Sequence, residues 1–150
     1  MRKLVKTNIG ADSVIFHIEI DNEIAGCIDI FHFKTYEDII TTCCDEEGPE
    51  EKCKKLFPTN ECFEIRHVKV YSKFRNQGIA NELMNEVMVY IDGGVKYAIL
   101  RAYPFTIRDD PSEIILKNIS LTSLTLFYEK FGFKVFGSDR MQNFMYYHTK

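Results

Sequence analysis

The sequence predicts one α/β or α+β domain, a β-sheet with helices packed on it. Three observations predict this. Apolar, β-branched runs of strand length recur between turn residues; the segment 79–91 carries a helical stripe of apolar side chains; and the elements follow the order β-β-β-α-β-α-β-β. With 150 residues, 45% apolar and 13% aromatic, the chain has material for one core, so residues 1–150 are expected to form a single domain.

Taken in order, Val14-Ile15-Phe16-His17-Ile18-Glu19-Ile20 is rich in β-branched residues and alternates late in its run, as a strand does. Asp21-Asn22-Glu23 supplies turn chemistry, and a second strand from Ile24 to about Phe33 completes an antiparallel hairpin. Periodicity is lost from Thr35 to Cys62, an insertion that includes the acidic run Asp45-Glu46-Glu47-Gly48-Pro49-Glu50-Glu51. An irregular stretch of this length in a small domain points to a functional or mobile loop.

Strand character returns from Phe63 to Val70. The polar, glycine-closed stretch Tyr71–Gly78 then leads into an amphipathic helix. Ile79, Ala80, Leu83, Met84, Val87, Met88 and Ile91 share its apolar stripe, while Asn81, Glu82, Asn85 and Glu86 take the outer face. Asp92-Gly93-Gly94 stops the helix. Val95 to Tyr103 reads as a strand ended by Pro104, and Asp109-Asp110-Pro111-Ser112-Glu113 as a helix start with an acid cap and a first-turn proline. A second helical stretch, Leu121 to Phe131, ends at Gly132. Short strands near Lys134–Phe136 and Phe144–His148, joined across Gly137-Ser138-Asp139, close the chain.

Composition removes several function classes. Acids outnumber bases 22 to 19, for a net charge of −3, which argues against a nucleic-acid partner. No apolar run approaches the roughly 18 residues that span a bilayer, so no membrane partner is expected. The basic start, Met1-Arg2-Lys3-Leu4-Val5-Lys6, has no apolar stretch behind it and does not read as a signal peptide. Five cysteines, an odd count, then read as reduced thiols in a cytoplasm. Cys43-Cys44-x8-Cys53-x8-Cys62 lacks the close pairing that lets two thiolates reach one tetrahedral ion, so no metal site is expected.

The charge is also uneven. Residues 37–51 hold Glu37, Asp38, Asp45, Glu46, Glu47, Glu50 and Glu51 with no base, and the rest of the chain has 15 acids against 19 bases. The body is therefore suited to a polyanion, and the acidic loop to a cationic partner.

The chemistry concentrates between Phe63 and Phe133. A strand, a tight glycine-bearing loop and a helix start make an anion site, because the first amides of a helix lack intrahelical acceptors and carry partial positive charge. In Arg75-Asn76-Gln77-Gly78-Ile79-Ala80 the small residues stand where a phosphate would approach the backbone, with Lys69, Lys73 and Arg75 as nearby cations. The same spacing also serves a plain strand-to-helix turn.

Val68-Lys69-Val70-Tyr71-Ser72-Lys73-Phe74-Arg75-Asn76-Gln77-Gly78-Ile79-Ala80 resembles the acetyl-CoA motif of the GNAT N-acetyltransferase superfamily, an apolar strand followed by Arg/Gln-x-x-Gly-x-Gly/Ala. Leu126-Phe127-Tyr128-Glu129-Lys130-Phe131-Gly132-Phe133 is similar to that family's late helix, which ends Tyr-Glu-Lys-x-Gly-Phe. The resemblance covers about residues 14–150 and is weakest over 35–62 and 104–120. It implies a mixed, mostly antiparallel twisted sheet flanked by helices, here with a reduced N-terminal helical region, and acetyl-CoA as acyl donor.

Roles follow by position. The amides of Asn76, Gln77, Gly78, Ile79 and Ala80 would hold the CoA pyrophosphate, with the side chains of Arg75 and Gln77 assisting. The strand before the loop is split from its neighbour in this family, so the Val70 amide would bind the pantetheine arm and the Val68 amide would polarise the thioester carbonyl. Tyr128 would protonate the leaving thiolate; its alternative is a packed helix-face aromatic. Gly132 and Phe133 read as a helix stop and a core aromatic.

A charged amine must lose a proton before it attacks, and Glu64, six residues before Val70, is the candidate base. Three alternatives stand beside it: Glu64 as an exposed carboxylate paired with Arg66 or a cross-strand lysine, His67 if a bulge breaks the alternation that places it on the other face, and ordered water alone.

Two departures matter. The family's Asn seven residues before the tyrosine is Leu121, so one bond to the pantetheine is missing or comes from Ser120 or Thr122. The family also places two helices before the hairpin, where this chain has about 13 residues, so the insertion at 35–62 would supply the acceptor wall. With no cysteine in either motif, the expected reaction is direct attack by a small-molecule or peptide amine, cationic by preference. A CoA-binding sensor or interaction module without turnover is the rival reading, and a homodimer is left open.

Overall fold

Asp21 and Asn22 adopt φ of 52° and 68°, the left-handed pair of a two-residue hairpin turn, in which short polar side chains are tolerated. That turn joins β2 (Ser13–Ile20) to β3 (Glu23–Phe33) in the antiparallel hairpin expected. The structure is a computed structural model and describes residues 1–33, 61–94, 97–102, 120–138 and 142–149.

Ahead of this hairpin lies β1 (Arg2–Ile9), antiparallel to β2 through a turn at Gly10–Asp12. The sequence reading has no strand before Val14. β1 is a sheet edge, exposed over most of its length with only Leu4 and Val5 half-buried, so its residues carry no period-two apolar pattern. The chain thus passes from β1 to β2 by a tight turn, with no helix between them.

The other elements are β4 (Cys62–Val70), a single 3-10 turn at Ser72–Phe74, α1 (Ile79–Asp92), β5 (Tyr97–Ala102), α2 (Leu121–Glu129), β6 (Lys134–Ser138) and β7 (Asn143–His148). They form one seven-stranded sheet in the order β1-β2-β3-β4-β5-β7-β6, antiparallel throughout except between β4 and β5. The mixed, mostly antiparallel sheet with flanking helices is the architecture the resemblance implies. β6 runs through Gly137 and Ser138, which pair with β7 rather than forming the turn expected there. Most of the acidic insertion, Cys43, Cys44 and Cys53, and the helix start at 109–113 lie outside the described residues, whereas Cys27 and Cys62 are described and form no disulfide.

The two described α-helices cover one face of the sheet. Ile79, Leu83, Met84, Val87 and Ile91 of α1 are buried against Phe16 and Ile18 of β2, Ile28 and Ile30 of β3, and Phe63 and Ile65 of β4. Side chains of this kind contribute about 1.5–3 kcal/mol each on full burial. Tyr128 of α2 joins the same core with Leu100, Met145 and Tyr147. Gly26 lets α1 approach closely, since a Cβ there would lie 2.7 Å from the Lys69 carbonyl oxygen and 2.9 Å from Ile79 Cγ2. That contact seats the start of α1 against the end of β4. No described helix is long and apolar enough to cross a membrane.

Candidate active site

β4 and β5 run in parallel but pair only over Phe63–Ile65 and Ala98–Leu100. Among the described residues, β4 continues to Val70 held by β3 alone. The register shows which backbone groups this leaves on the open side. The Tyr71 amide donates to the Ala25 carbonyl at 2.9 Å, so the preceding pair, Val70 opposite Gly26, is a non-hydrogen-bonded one. Two residues back, Val68 opposite Ile28 is of the same kind. The amides and carbonyls of Val68 and Val70 therefore point away from β3, toward the gap where β5 diverges. Arg75 already uses one of them: its Nε donates to the Val70 carbonyl at 3.2 Å.

The open edge leads directly into the start of α1. Asn76 and Gly78 have φ of 63° and 74°, two left-handed residues that turn the chain out of the loop. Gly78 is the N-cap of α1, no side chain caps the helix there, and a Cβ on Gly78 would meet nothing within 4 Å. The first amides of a 14-residue helix, with its positive dipole end, thus face open space beside exposed Asn76 and Gln77 and buried Ile79. Of the three cations expected here, Arg75 is at the loop. Lys73 is bound to both carboxylate oxygens of Glu23, at 2.9 and 3.0 Å, and Lys69 pairs with Cys27 on the face away from α1.

β1 adds contacts the sequence does not reveal. Arg2 Nη1 donates to Glu82 Oε2 at 2.7 Å, and Nη2 donates to the Gln77 carbonyl at 3.3 Å. Nothing in the sequence links residue 2 to residues 77 and 82, because the link passes through a strand that lacks a strand's signature.

On α2, Tyr128 is buried, with Phe127 and Phe133 rings at centroid distances of 5.3 and 6.3 Å. Burial raises its phenol well above the usual tyrosine range, so the hydroxyl keeps its proton at neutral pH. Val68 and Val70 pack against the core to which Tyr128 belongs. Ser120 is the N-cap of α2: its Oγ accepts from the Ser123 amide at 3.0 Å. Leu121 packs against the core. Thr125, one turn before Tyr128, donates to the Leu121 carbonyl and accepts from Asn143 Nδ2 at 2.8 Å.

Glu64 sits on the other face of the sheet, opposite Phe31 and beside Ile99, next to the last rung before β4 and β5 part. It is 2% exposed, not the surface carboxylate that the alternative reading supposes, and it does take Arg66, with Nε 3.3 Å from Oε2. The Arg66 guanidinium lies over the Phe31 ring at 4.1 Å. The bulge on which His67 depends is present: Asp29 pairs with His67 but Ile30 with Ile65, leaving Arg66 as the extra residue. Strict alternation therefore no longer separates positions 64 and 67.

An open strand edge, an uncapped helix start and free space at Gly78 fit a long ligand with an amide-bearing arm and a phosphate head. Such a ligand would add its arm along β4 as an extra strand and set its anion at the start of α1. Among the described residues no three of His, Cys, Asp and Glu gather as a metal site requires.

Residues 11–135 match a family model described as an acetyltransferase (GNAT) domain. No curated protein sequence matches the chain. Among solved structures, it is similar to the PaiA N-acetyltransferase of Thermoplasma acidophilum in complex with coenzyme A, with TM-score 0.54 and 14% identity over 91% of this chain and 61% of that one. It is also similar to Arabidopsis thaliana NAA60 in complex with a bisubstrate analogue, with TM-score 0.56 and 17% identity over 94% and 78% of the two chains. The loading GNATL domain of CurA from Lyngbya majuscula gives TM-score 0.57 and 12% identity, over 89% and 75%. At these identities the likeness is one of fold, and the chain spans about three fifths of the Thermoplasma protein's length.

Proposed function

The chain belongs to the GNAT acetyltransferase family, and from that premise we propose that it transfers an acetyl group from acetyl-CoA to a primary amine by direct attack on the thioester. The observation that carries this reading is the continuity of the Val68–Val70 open edge with the uncapped start of α1. The CoA complex of the Thermoplasma neighbour supports it further.

In this reading the amides of Asn76 to Ala80 hold the pyrophosphate, aided by Arg75 and Gln77, and the Val70 amide pairs with the pantetheine arm. The Val68 amide donates to the thioester carbonyl oxygen and stabilises the negative charge that develops there as the amine attacks. Tyr128, kept protonated by its burial, donates to the departing thiolate. A phenol titrates at ~10 against ~8.5 for a thiol, so Tyr128 meets the thiolate as a neutral hydrogen-bond donor at pH 7 and stabilises the charge as it leaves. The incoming amine gives up its proton to Glu64, directly or through water, once the Arg66 side chain moves off the carboxylate. Ser120 is committed to capping α2, so the pantetheine bond of the family's Asn, Leu121 here, is either missing or comes from Thr122.

The acceptor we propose is a cationic amine, small molecule or peptide, attracted by the acids of residues 37–51. The test is a thiol-release assay with acetyl-CoA across polyamines, aminoglycosides, amino acids and lysine peptides. Turnover with at least one class is expected. Silence across all of them, with acetyl-CoA bound, would replace the enzyme reading by that of a CoA-binding sensor.

A further inference from the structure

Two facts meet at the start of α1. Glu82 places a carboxylate in the first turn, where it suits the helix dipole but repels any polyanion bound to the same amides. The peptide between Gln77 and Gly78 must also be oriented for its N–H to serve that anion. Carbonyl and N–H of a trans peptide point in opposite directions, so whatever holds the Gln77 carbonyl decides where the Gly78 N–H points.

Arg2 addresses both. Its two terminal nitrogens span the Glu82 carboxylate, at 2.7 Å, and the Gln77 carbonyl, at 3.3 Å. The β1 backbone is steadied next to it by the Arg2–Ile20 pairing and by the Asp21 amide, which donates to the Met1 carbonyl at 3.1 Å. We propose that Arg2 is a positioning residue of the phosphate site. It cancels the Glu82 charge and turns the Gln77–Gly78 peptide so that its N–H faces away from β1, toward the phosphate. β1 is thereby a working part of the cofactor site and not only a sheet edge. A planar fork is needed for this, because an ammonium cannot span a carboxylate and a carbonyl in fixed directions.

The inference rests on the acetyl-CoA reading, and calorimetric titration of the full chain with acetyl-CoA separates the two. Wild type that fails to bind at millimolar ligand overturns the acetyl-CoA reading itself. Given wild-type binding, Arg2→Gln is expected to weaken it about tenfold, the loss of a hydrogen bond between charged groups. It should raise KM for acetyl-CoA while leaving kcat and the melting temperature near wild type, since both side chains are about 40% exposed. Arg2→Lys should recover only part of the affinity. Arg2→Gln combined with Glu82→Gln should bind more tightly than Arg2→Gln alone, a rescue that general destabilisation does not produce. Affinity of Arg2→Gln within twofold of wild type, or no rescue in the double variant, overturns the proposal.

Discussion

Arg75 closes back on the strand it follows, its Nε donating to the Val70 carbonyl at 3.2 Å. This bond pins the loop before α1 to the open edge of β4, so the two stretches proposed to hold the cofactor are kept in fixed relation by five residues of chain. Because Val70 opposes Gly26 as a non-hydrogen-bonded pair, the carbonyl that receives Arg75 and the amide offered to the ligand lie on the same side of the strand.

Gly78→Glu should abolish acetyl-CoA binding, with Kd raised about a hundredfold or more. The substitution puts a side chain at φ 74°, which costs about 1–2 kcal/mol, and a carboxylate where the pyrophosphate is expected. Calorimetric titration checks it. A Kd near wild type would remove the loop from the cofactor site.

Tyr128→Phe should lower kcat about a hundredfold with KM for acetyl-CoA nearly unchanged, because the hydroxyl acts only as the thiolate leaves. Steady-state kinetics with a reactive amine measures this. An unchanged kcat makes Tyr128 a packing residue alone.

Glu64→Gln should reduce kcat about tenfold and displace the acid limb of the pH–rate profile. The carboxylate is buried beside the β4–β5 parting and paired with Arg66, so the melting temperature should fall as well. A fall in stability with an unmoved pH profile would assign Glu64 to structure and the proton to water.

The Tyr147 hydroxyl donates to Asp92 at 2.8 Å, joining the last strand to the end of α1. Burial, with this bond, pushes its phenol up to about 12. A raised folded-state value means that the protonated form is the stabilising one. Its contribution is intact below about pH 10 and is lost as pH rises through about 12. Tyr147→Phe should cost about 1 kcal/mol at pH 7 and flatten the alkaline decline in stability, read by urea denaturation at pH 7, 10 and 11.5.

Neutralising the acids at 37–51 to Asn and Gln should raise KM for a cationic amine at low salt, and the difference should vanish at high salt, where exposed charges are screened. The same KM ratio at both salt levels would make this segment a solvated loop.

The elements legible in the sequence are those with a buried face. α1 shows itself through a stripe whose members at 79, 83, 84, 87 and 91 are buried, and the β2–β3 hairpin through β-branched residues around an Asp-Asn turn. The loop from Arg75 to Gly78 is legible for a different reason. A left-handed backbone favours glycine or asparagine, as at Gly78 and Asn76, so the turn into the helix writes itself into local sequence. β1 is not legible, because an edge strand with only Leu4 and Val5 half-buried leaves no alternation to read.

The sequence by itself therefore determined the sheet-with-helices class, the family motif from Val68 to Ala80, and the tyrosine on the late helix. Tertiary structure alone decided how these are used. The Ala25–Tyr71 hydrogen bond sets the side to which the Val68 and Val70 amides point, the bulge at Arg66 resets the faces of β4, and burial turns Glu64 from a surface acid into an enclosed carboxylate capped by an exposed Arg66. Arg2 meets Gln77 and Glu82 only because the sheet brings residues 75 and 80 positions apart into contact. Hydrogen-bond direction, register and burial depend on which strand lies alongside, and local composition carries no record of that neighbour.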